Sequence, residues 1–204
     1  MNRDRTYALA IHTSSPDLGL AISNFSEDQR SQVWNLGRDL SGVLPIYLAE
    51  FLQPQTWNDL AFLAVAIGPG GFTGTRIGVV AARTLAQQLD IPLFGISSLA
   101  AIAYHSNIRG AIAVQMPAQR GELHTAIYQR SEPFTTLQSD TVLTPEAWQA
   151  RLDQHQPTQV IQADPAQGQS VTSVLELAYL NWQKGQRPHW SETLPFYGQH
   201  PVEV

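Results

Sequence analysis

The chain predicts an α/β fold built as two similar halves, each a mixed sheet flanked by helices. Two successive runs read strand-strand-strand-helix-strand-helix, and antiparallel strands leading into a crossover helix imply a mixed sheet. Ala61–Ile67 is a continuous apolar run, the pattern of a strand buried on both faces. The composition, 43% hydrophobic and 14% charged, is that of a globular chain. Its 204 residues suffice for one large domain or two small lobes. The boundary falls near Ser106–Gly110, giving lobes of residues 1–106 and 107–204.

In the first half, Tyr7–Ile11 reads as a short strand, Thr13–Asp17 as a polar turn and Leu18–Phe25 as the returning strand of a hairpin. Gln32–Leu36 is a third strand. Ser41–Leu52 is helical, with Ser41 as cap and Pro45 in the first turn. A glycine-rich turn after Ala61–Ile67 leads into a helix over Thr73–Leu89. Pro92–Gly95 is a strand and Ser98–His105 a helix. In the second half, Ala111–Met116, Gly121–Gln129 and Phe134–Asp140 are strands. Thr144 and Pro145 start a helix reaching Leu152. Gln159–Asp164 is a strand. Val171–Trp182 is an amphipathic helix with Val171, Val174, Leu175, Ala178, Tyr179 and Trp182 on one side, ended by Gly185.

Charge and composition exclude several functions. Twelve Lys plus Arg stand against 17 Asp plus Glu, a net charge of -5. Phosphate contacts dominate nucleic-acid affinity, so RNA contact by this chain needs a partner's surface. There is no cysteine, which excludes disulfides, thiolate metal sites and thiol nucleophiles. Leu60–Ile67, the longest apolar stretch, is too short for a bilayer, which needs about 20 residues. Tyr7–Ile11 is too short for a signal-peptide core. The expectation is a soluble cytoplasmic protein that does not enter a membrane.

No chemistry-bearing constellation stands out. His12, His105, His124, His155, His189 and His200 form no i, i+4 pair, so no metal site is expected. Ser14 or Ser15 beside His12 lacks the strand-elbow-helix context of a nucleophile. Trp34, Trp57, Trp148, Trp182 and Trp190 are scattered without interleaved basic residues. Arg76 and Arg83 share a helix face, as partners for carboxylates or as solvated charges.

The segment Ile67–Gly78 is the most informative. Its glycines permit positive φ between a strand and a helix, and Thr73 or Thr75 is placed to cap the helix. Gly70, Gly71 and Thr73 are candidate anion contacts at a helix start. The spacing is neither the dinucleotide fingerprint nor a P-loop. The preferred reading is therefore a tight turn with close helix packing, and no cofactor is expected.

These residues resemble the TsaB (YeaZ) family. Asp59–Ala103 is similar to its "Asp-Leu … Gly-Pro-Gly-Ser-Phe-Thr-Gly-Leu-Arg-Ile-Gly" block and to its "Gly-Ile-Pro-Leu … Gly-Ile-Ser-Ser-Leu" block. The latter stands here as Leu89-Asp90-Ile91-Pro92-Leu93 and Gly95-Ile96-Ser97-Ser98-Leu99. Leu9–Ser14 resembles the family's opening "Leu-Ala-Ile-Asp-Thr-Ser", with His12 in place of Asp. The later blocks depart further, at Pro117–His124 and Pro195–Gln199. The resemblance implies a two-lobed actin-like ATPase fold (duplicated, ribonuclease-H-like). It also implies a non-catalytic dimerisation subunit in tRNA threonylcarbamoyladenosine formation, alongside a catalytic TsaD-type subunit and the accessory ATPase TsaE. Transfer-RNA contact would come only through that complex. The alternatives are an actin-fold ATPase or sugar kinase, against which His12 argues, and a stand-alone homodimeric interaction protein.

Two helices of the first half are the expected partner surface for a homodimer, a heterodimer with TsaD, or both in turn. In Ser41–Leu52, apolar residues including Leu44, Tyr47, Leu48 and Phe51 go nearly all the way round at about 100° per residue. In the next helix, Gly74, Gly78, Ala82 and Ala86 form a smooth stripe, with Leu85 and Leu89 beside it. Ile77, Val80 and Ala81 are expected to face the sheet. Ala82→Glu is then expected to abolish dimerisation and leave the monomer folded.

Overall fold

The structure is a computed structural model that describes residues 5–196 and 198. Tyr197, Gln199 and His200, which figure in the motifs and the histidine survey above, lie outside the described residues. The first half supplies strands β1 (Tyr7–His12), β2 (Asp17–Ser23), β3 (Gln29–Asn35), β4 (Leu60–Ala66) and β5 (Leu93–Ile96), and helices α1 (Leu40–Leu52), α2 (Phe72–Leu89) and α3 (Ser98–His105). The second half supplies β6 (Gly110–Pro117), β7 (Leu123–Arg130), β8 (Thr135–Leu143) and β9 (Gln159–Gln162), with α4 (Pro145–His155) and α5 (Val171–Gln183).

The first sheet has the order β3-β2-β1-β4-β5 and the second β8-β7-β6-β9. In each, the second strand is antiparallel to both neighbours, and the first is parallel to the strand on its other side. The architecture is thus the expected α/β fold, with a duplicated mixed sheet flanked by helices. The second sheet repeats the first four strands, and β5 has no counterpart in it.

Alternation along β1 explains the layers. Leu9 and Ile11 join a core cluster with Leu44, Leu48 and Phe51 of α1 and Val79 and Ala82 of α2. Ala8 and Ala10 join the opposite cluster with Val171, Val174 and Leu175 of α5. That face is paved with alanine, adding Ala21, Ala64 and Ala66, so a helix can sit close to the strands. At Gly19 a Cβ would stand 2.4 Å from the Gly168 carbonyl oxygen. Phe62 supplies bulk where the alanines do not, stacking on Trp182 at 4.9 Å and meeting Phe94 edge-on at 5.2 Å.

The last helix of each half crosses over. α5 packs on the first sheet and α3 on β6 and β7 of the second, and the two helices touch each other. One core therefore spans both halves. The C-terminal segment returns to the first sheet, where the Phe196 amide donates to Ile67 O at 2.7 Å and the Thr193 hydroxyl to Leu93 O at 3.0 Å.

Helix ends follow local chemistry, with two corrections. Thr144 caps α4 by accepting from the Ala147 amide, with Pro145 in the first turn, and Gly185 follows α5 at φ +81°. α1 starts at Leu40, after a 3-10 turn over Gly37–Asp39, and no side chain caps it. Ser41 is therefore not its cap. Pro45 lies in the sixth position, inside the helix, where its ring leaves the Ser41 carbonyl without an i+4 donor. Among the described residues no helix is long and apolar enough to cross a membrane.

Candidate functional site

The glycine-rich loop after β4 packs backbone against backbone on the turn after β1. A Cβ on Gly70 would stand 2.1 Å from Ser14 O, and one on Gly74 2.3 Å from Thr13 O. At Gly78 it would meet the Thr13 hydroxyl at 2.0 Å. The Gly71 amide donates to Ser14 O at 2.7 Å, and the Thr13 hydroxyl donates to Gly74 O at 2.8 Å. Three glycines at this spacing let α2 lie directly on the β1–β2 turn.

The same loop faces a cleft between the halves. A cavity of about 270 Å³ is lined by Ser14, Gly70 and Gly71 on one side and by Pro117, His124, Asp164 and Gln167 on the other. Burial pushes the His124 imidazole below its ordinary pKa. Of the candidate anion contacts, Gly71 has its amide engaged by Ser14, Gly70 is wedged against Ser14, and Thr73 is exposed on α2. The Asp164 carboxylate lines the same cavity, which opposes an anion there. Neither Thr73 nor Thr75 caps α2: Gly71 is the N-cap, with no side-chain bond. The Thr75 hydroxyl instead bonds back to Gly71 O at 2.9 Å.

The helix faces differ from the expectation. Leu44, Leu48 and Phe51 of α1 are buried on the first sheet, as are Gly78, Ala82 and Ala86 of α2. The small-residue stripe faces the chain's own β1 and β4, because close approach to a backbone is what it permits. Those six residues cannot reach a partner, and Glu at position 82 would bury a charge in the core. Gly74, Tyr47, Leu85 and Leu89 are half-buried. Val80, expected to face the sheet, is 60% exposed, with Ile46 at 56% and Phe72 at 58%. Ile77 and Ala81 are half-buried beside Val80. α1 and α2 touch each other over the first sheet, so the outward surface is their joint one. The Gly74-x-x-x-Gly78 pair marks the side of close approach, to Thr13 O at Gly74 and to the Thr13 side chain at Gly78, but its spacing does not say whether the neighbour is this chain or a partner.

His12 closes β1 and is wholly buried. Neither ring nitrogen has a hydrogen-bond partner among the described residues. Desolvation lowers its pKa from 6.5 to about 4, so the imidazole is neutral at pH 7. Arg76 lies over the Phe72 ring at 5.2 Å and Arg83 over the Trp190 ring at 5.7 Å.

Comparison with known proteins bears on this arrangement. The family described as "tRNA N6-adenosine threonylcarbamoyltransferase", TsaD, matches residues 44–179. The tRNA threonylcarbamoyladenosine biosynthesis protein TsaB of Bacillus subtilis is 46% identical over 79 residues, 38% of this chain and 33% of that protein. The protein of the same name from Escherichia coli is 35% identical over 102 residues, 48% of this chain and 44% of that protein. The chain thus aligns with less than half the length of these curated relatives. YeaZ from Pseudomonas aeruginosa shares the fold, with a TM-score of 0.76 at 22% identity over 94% of this chain and 99% of that one. A second Pseudomonas aeruginosa structure, described as similar to peptidase YEAZ, gives 0.79 at 22% identity over 95% and 100%. With more than half of its length matched, the chain belongs to the TsaD-type family of threonylcarbamoyladenosine proteins, in its TsaB (YeaZ) branch.

Proposed function

We propose that the chain is an accessory subunit of tRNA threonylcarbamoyladenosine formation that binds a TsaD-type catalytic subunit through the outward side of α1 and α2. The observation that carries this reading is the exposure of Ile46 and Val80 on two adjoining helices whose other sides are anchored in the core. Apolar side chains presented on a rigid helix pair suit helix-on-helix association, each contributing roughly 1.5–3 kcal/mol when covered, before the costs of association. The same face serves a homodimer when TsaD is absent, and TsaE joins the larger assembly. The cleft supports a non-catalytic role. Its loop glycines are engaged by the backbone of Thr13 and Ser14, and His12 is buried and neutral. Transfer RNA then meets the catalytic subunit and not this acidic chain.

The test is reconstitution of the tRNA modification with the wild-type chain and with Val80→Glu. Val80→Glu keeps the wild-type circular dichroism and unfolding midpoint, because the position is exposed. It loses the light-scattering mass of the complex with TsaD and fails to support modification. Full modification by the mutant, with an unchanged complex mass, refutes the placement of the interface.

A further inference from the structure

A second cavity, of about 490 Å³, opens where α3, α5 and the second sheet meet. It is separate from the outward side of α1 and α2, since α5 covers the opposite face of the first sheet. Its volume lies within the range of small-molecule sites, roughly 300–1,000 Å³. The walls are apolar, formed by Ile96, Ala100, Phe134, Leu177, Leu180 and Phe196.

Three polar side chains from distant parts of the chain converge at one wall. The Tyr128 hydroxyl donates to Asp140 Oδ1 at 2.6 Å and the Ser97 hydroxyl to Asp140 Oδ2 at 2.5 Å. Ser97 is held in place by the Ala100 amide, which donates to its Oγ at 3.1 Å as α3 begins. Asp140 has no ion-pair partner among the described residues. A carboxylate accepts about four hydrogen bonds, so after the two hydroxyls and a bond from the Asp140 backbone the group keeps one free site. Burial raises the Asp140 carboxyl above its ordinary pKa, against the pull of both hydroxyls. Asp140 is half-buried; a negative charge partly withdrawn from water without a counter-ion is unfavourable, and an incoming ammonium group offsets that cost.

A positive charge stands elsewhere on the lining. Lys184, the one lysine in the sequence, follows the last turn of α5 and lines the cavity with Asn181 one turn before it. It too has no ion-pair partner among the described residues. The cavity therefore offers an anionic acceptor, a cationic donor and an apolar lining.

We propose that this cavity binds a small zwitterion with an apolar body, a free amino acid or a short peptide, its ammonium on Asp140 and its carboxylate on Lys184 and Asn181. The order of charges follows from burial. The ammonium replaces the missing counter-ion of the half-buried Asp140, and the carboxylate meets the exposed lysine at the solvent side.

Calorimetric titration of the full chain tests it with L-phenylalanine, L-leucine, the dipeptides Phe-Phe and Leu-Leu, and two half-ligands, phenethylamine and 3-phenylpropanoate. At least one zwitterion is expected to bind saturably at millimolar concentration or below. Each half-ligand is expected to bind about tenfold more weakly, the effect of losing one charge-assisted hydrogen bond. Asp140→Asn and Lys184→Gln should each lower the affinity for the zwitterion by about tenfold or more. Lys184 is exposed, so its variant folds whatever Asp140→Asn does. Whether the amino acids or the dipeptides bind identifies the source of the ligand. Three results overturn the proposal: no saturable binding of any zwitterion, binding that both variants leave unchanged, or phenethylamine binding as tightly as phenylalanine.

Discussion

The two sheets share a strand order but not a degree of cover. Every residue of β2 is buried, and so is every residue of β1 after Tyr7. In the second sheet the equivalent inner strands, β6 and β7, each have four of their eight residues buried, and the edge strands β8 and β9, like β3 of the first sheet, have none. The first sheet lies between α1 and α2 on one side and α5 on the other. The second has α3 on one face and only α4 on the other, where a small cluster centres on Ala113, Ile127 and Trp148. Strands covered on both faces must be apolar throughout, whereas strands covered on one face alternate. The family motifs lie in the doubly covered half, where substitutions are felt through close packing.

Truncations in the two halves sharpen this contrast most. Phe62 is 1% exposed among three aromatic rings. Phe62→Ala is expected to cost about 3–5 kcal/mol in urea unfolding, because a rigid surround cannot close the cavity. Trp148→Ala removes a similarly buried ring, 2% exposed, from under a helix that can settle inward. About 3 kcal/mol, the low end for such a truncation, is expected there, with faster hydrogen exchange confined to α4 and β8. Equal costs and equally global exchange would break the comparison.

Acid stability reports on the interior of the first sheet. His12 has a folded pKa of about 4 against 6.5 for the free side chain. Its contribution is therefore whole above pH 6.5. As the pH falls from 6.5 to 4 the unfolded chain takes up a proton that the folded chain refuses, and stability is lost. The loss amounts to about 3 kcal/mol at most. His12→Leu flattens the stability curve over that window, and unfolding midpoints at pH 7 and pH 4.5 measure it. An unchanged slope in the variant would mean that His12 is not the group responsible.

Glycine substitutions give the smallest effects and opposite signs. Gly74→Ala drives a Cβ into Thr13 O and is expected to destabilise by about 1–3 kcal/mol. Gly42, exposed in α1, has nothing within 4 Å of a built Cβ. Gly42→Ala should stabilise by about 0.5–1 kcal/mol. Thermal melts of the pair separate glycine used for contact from glycine that merely occurs in a helix.

The elements were legible because each has a local cause. The apolar run before the glycines predicts β4, found at Leu60–Ala66. The helix predicted at Ser98–His105 has those limits in the structure, and Thr144-Pro145 starts α4 as expected. The direction of α2 was not legible. A stripe of small residues permits close approach to any backbone, the chain's own strands or a partner's helix, and periodicity does not distinguish them. The pole formed by Ser97, Tyr128 and Asp140 was also missed, since it joins residues up to 43 positions apart.

The sequence by itself therefore determined most of the elements, their repeated succession along the chain and the family, all of which rest on neighbours in the chain or on motif residues. Tertiary structure alone decided which side of each helix is outward, how α5 crosses to the first sheet, and which polar groups share a cavity. Those outcomes depend on contacts between segments far apart in the chain, and one pattern of side chains is compatible with more than one packing partner.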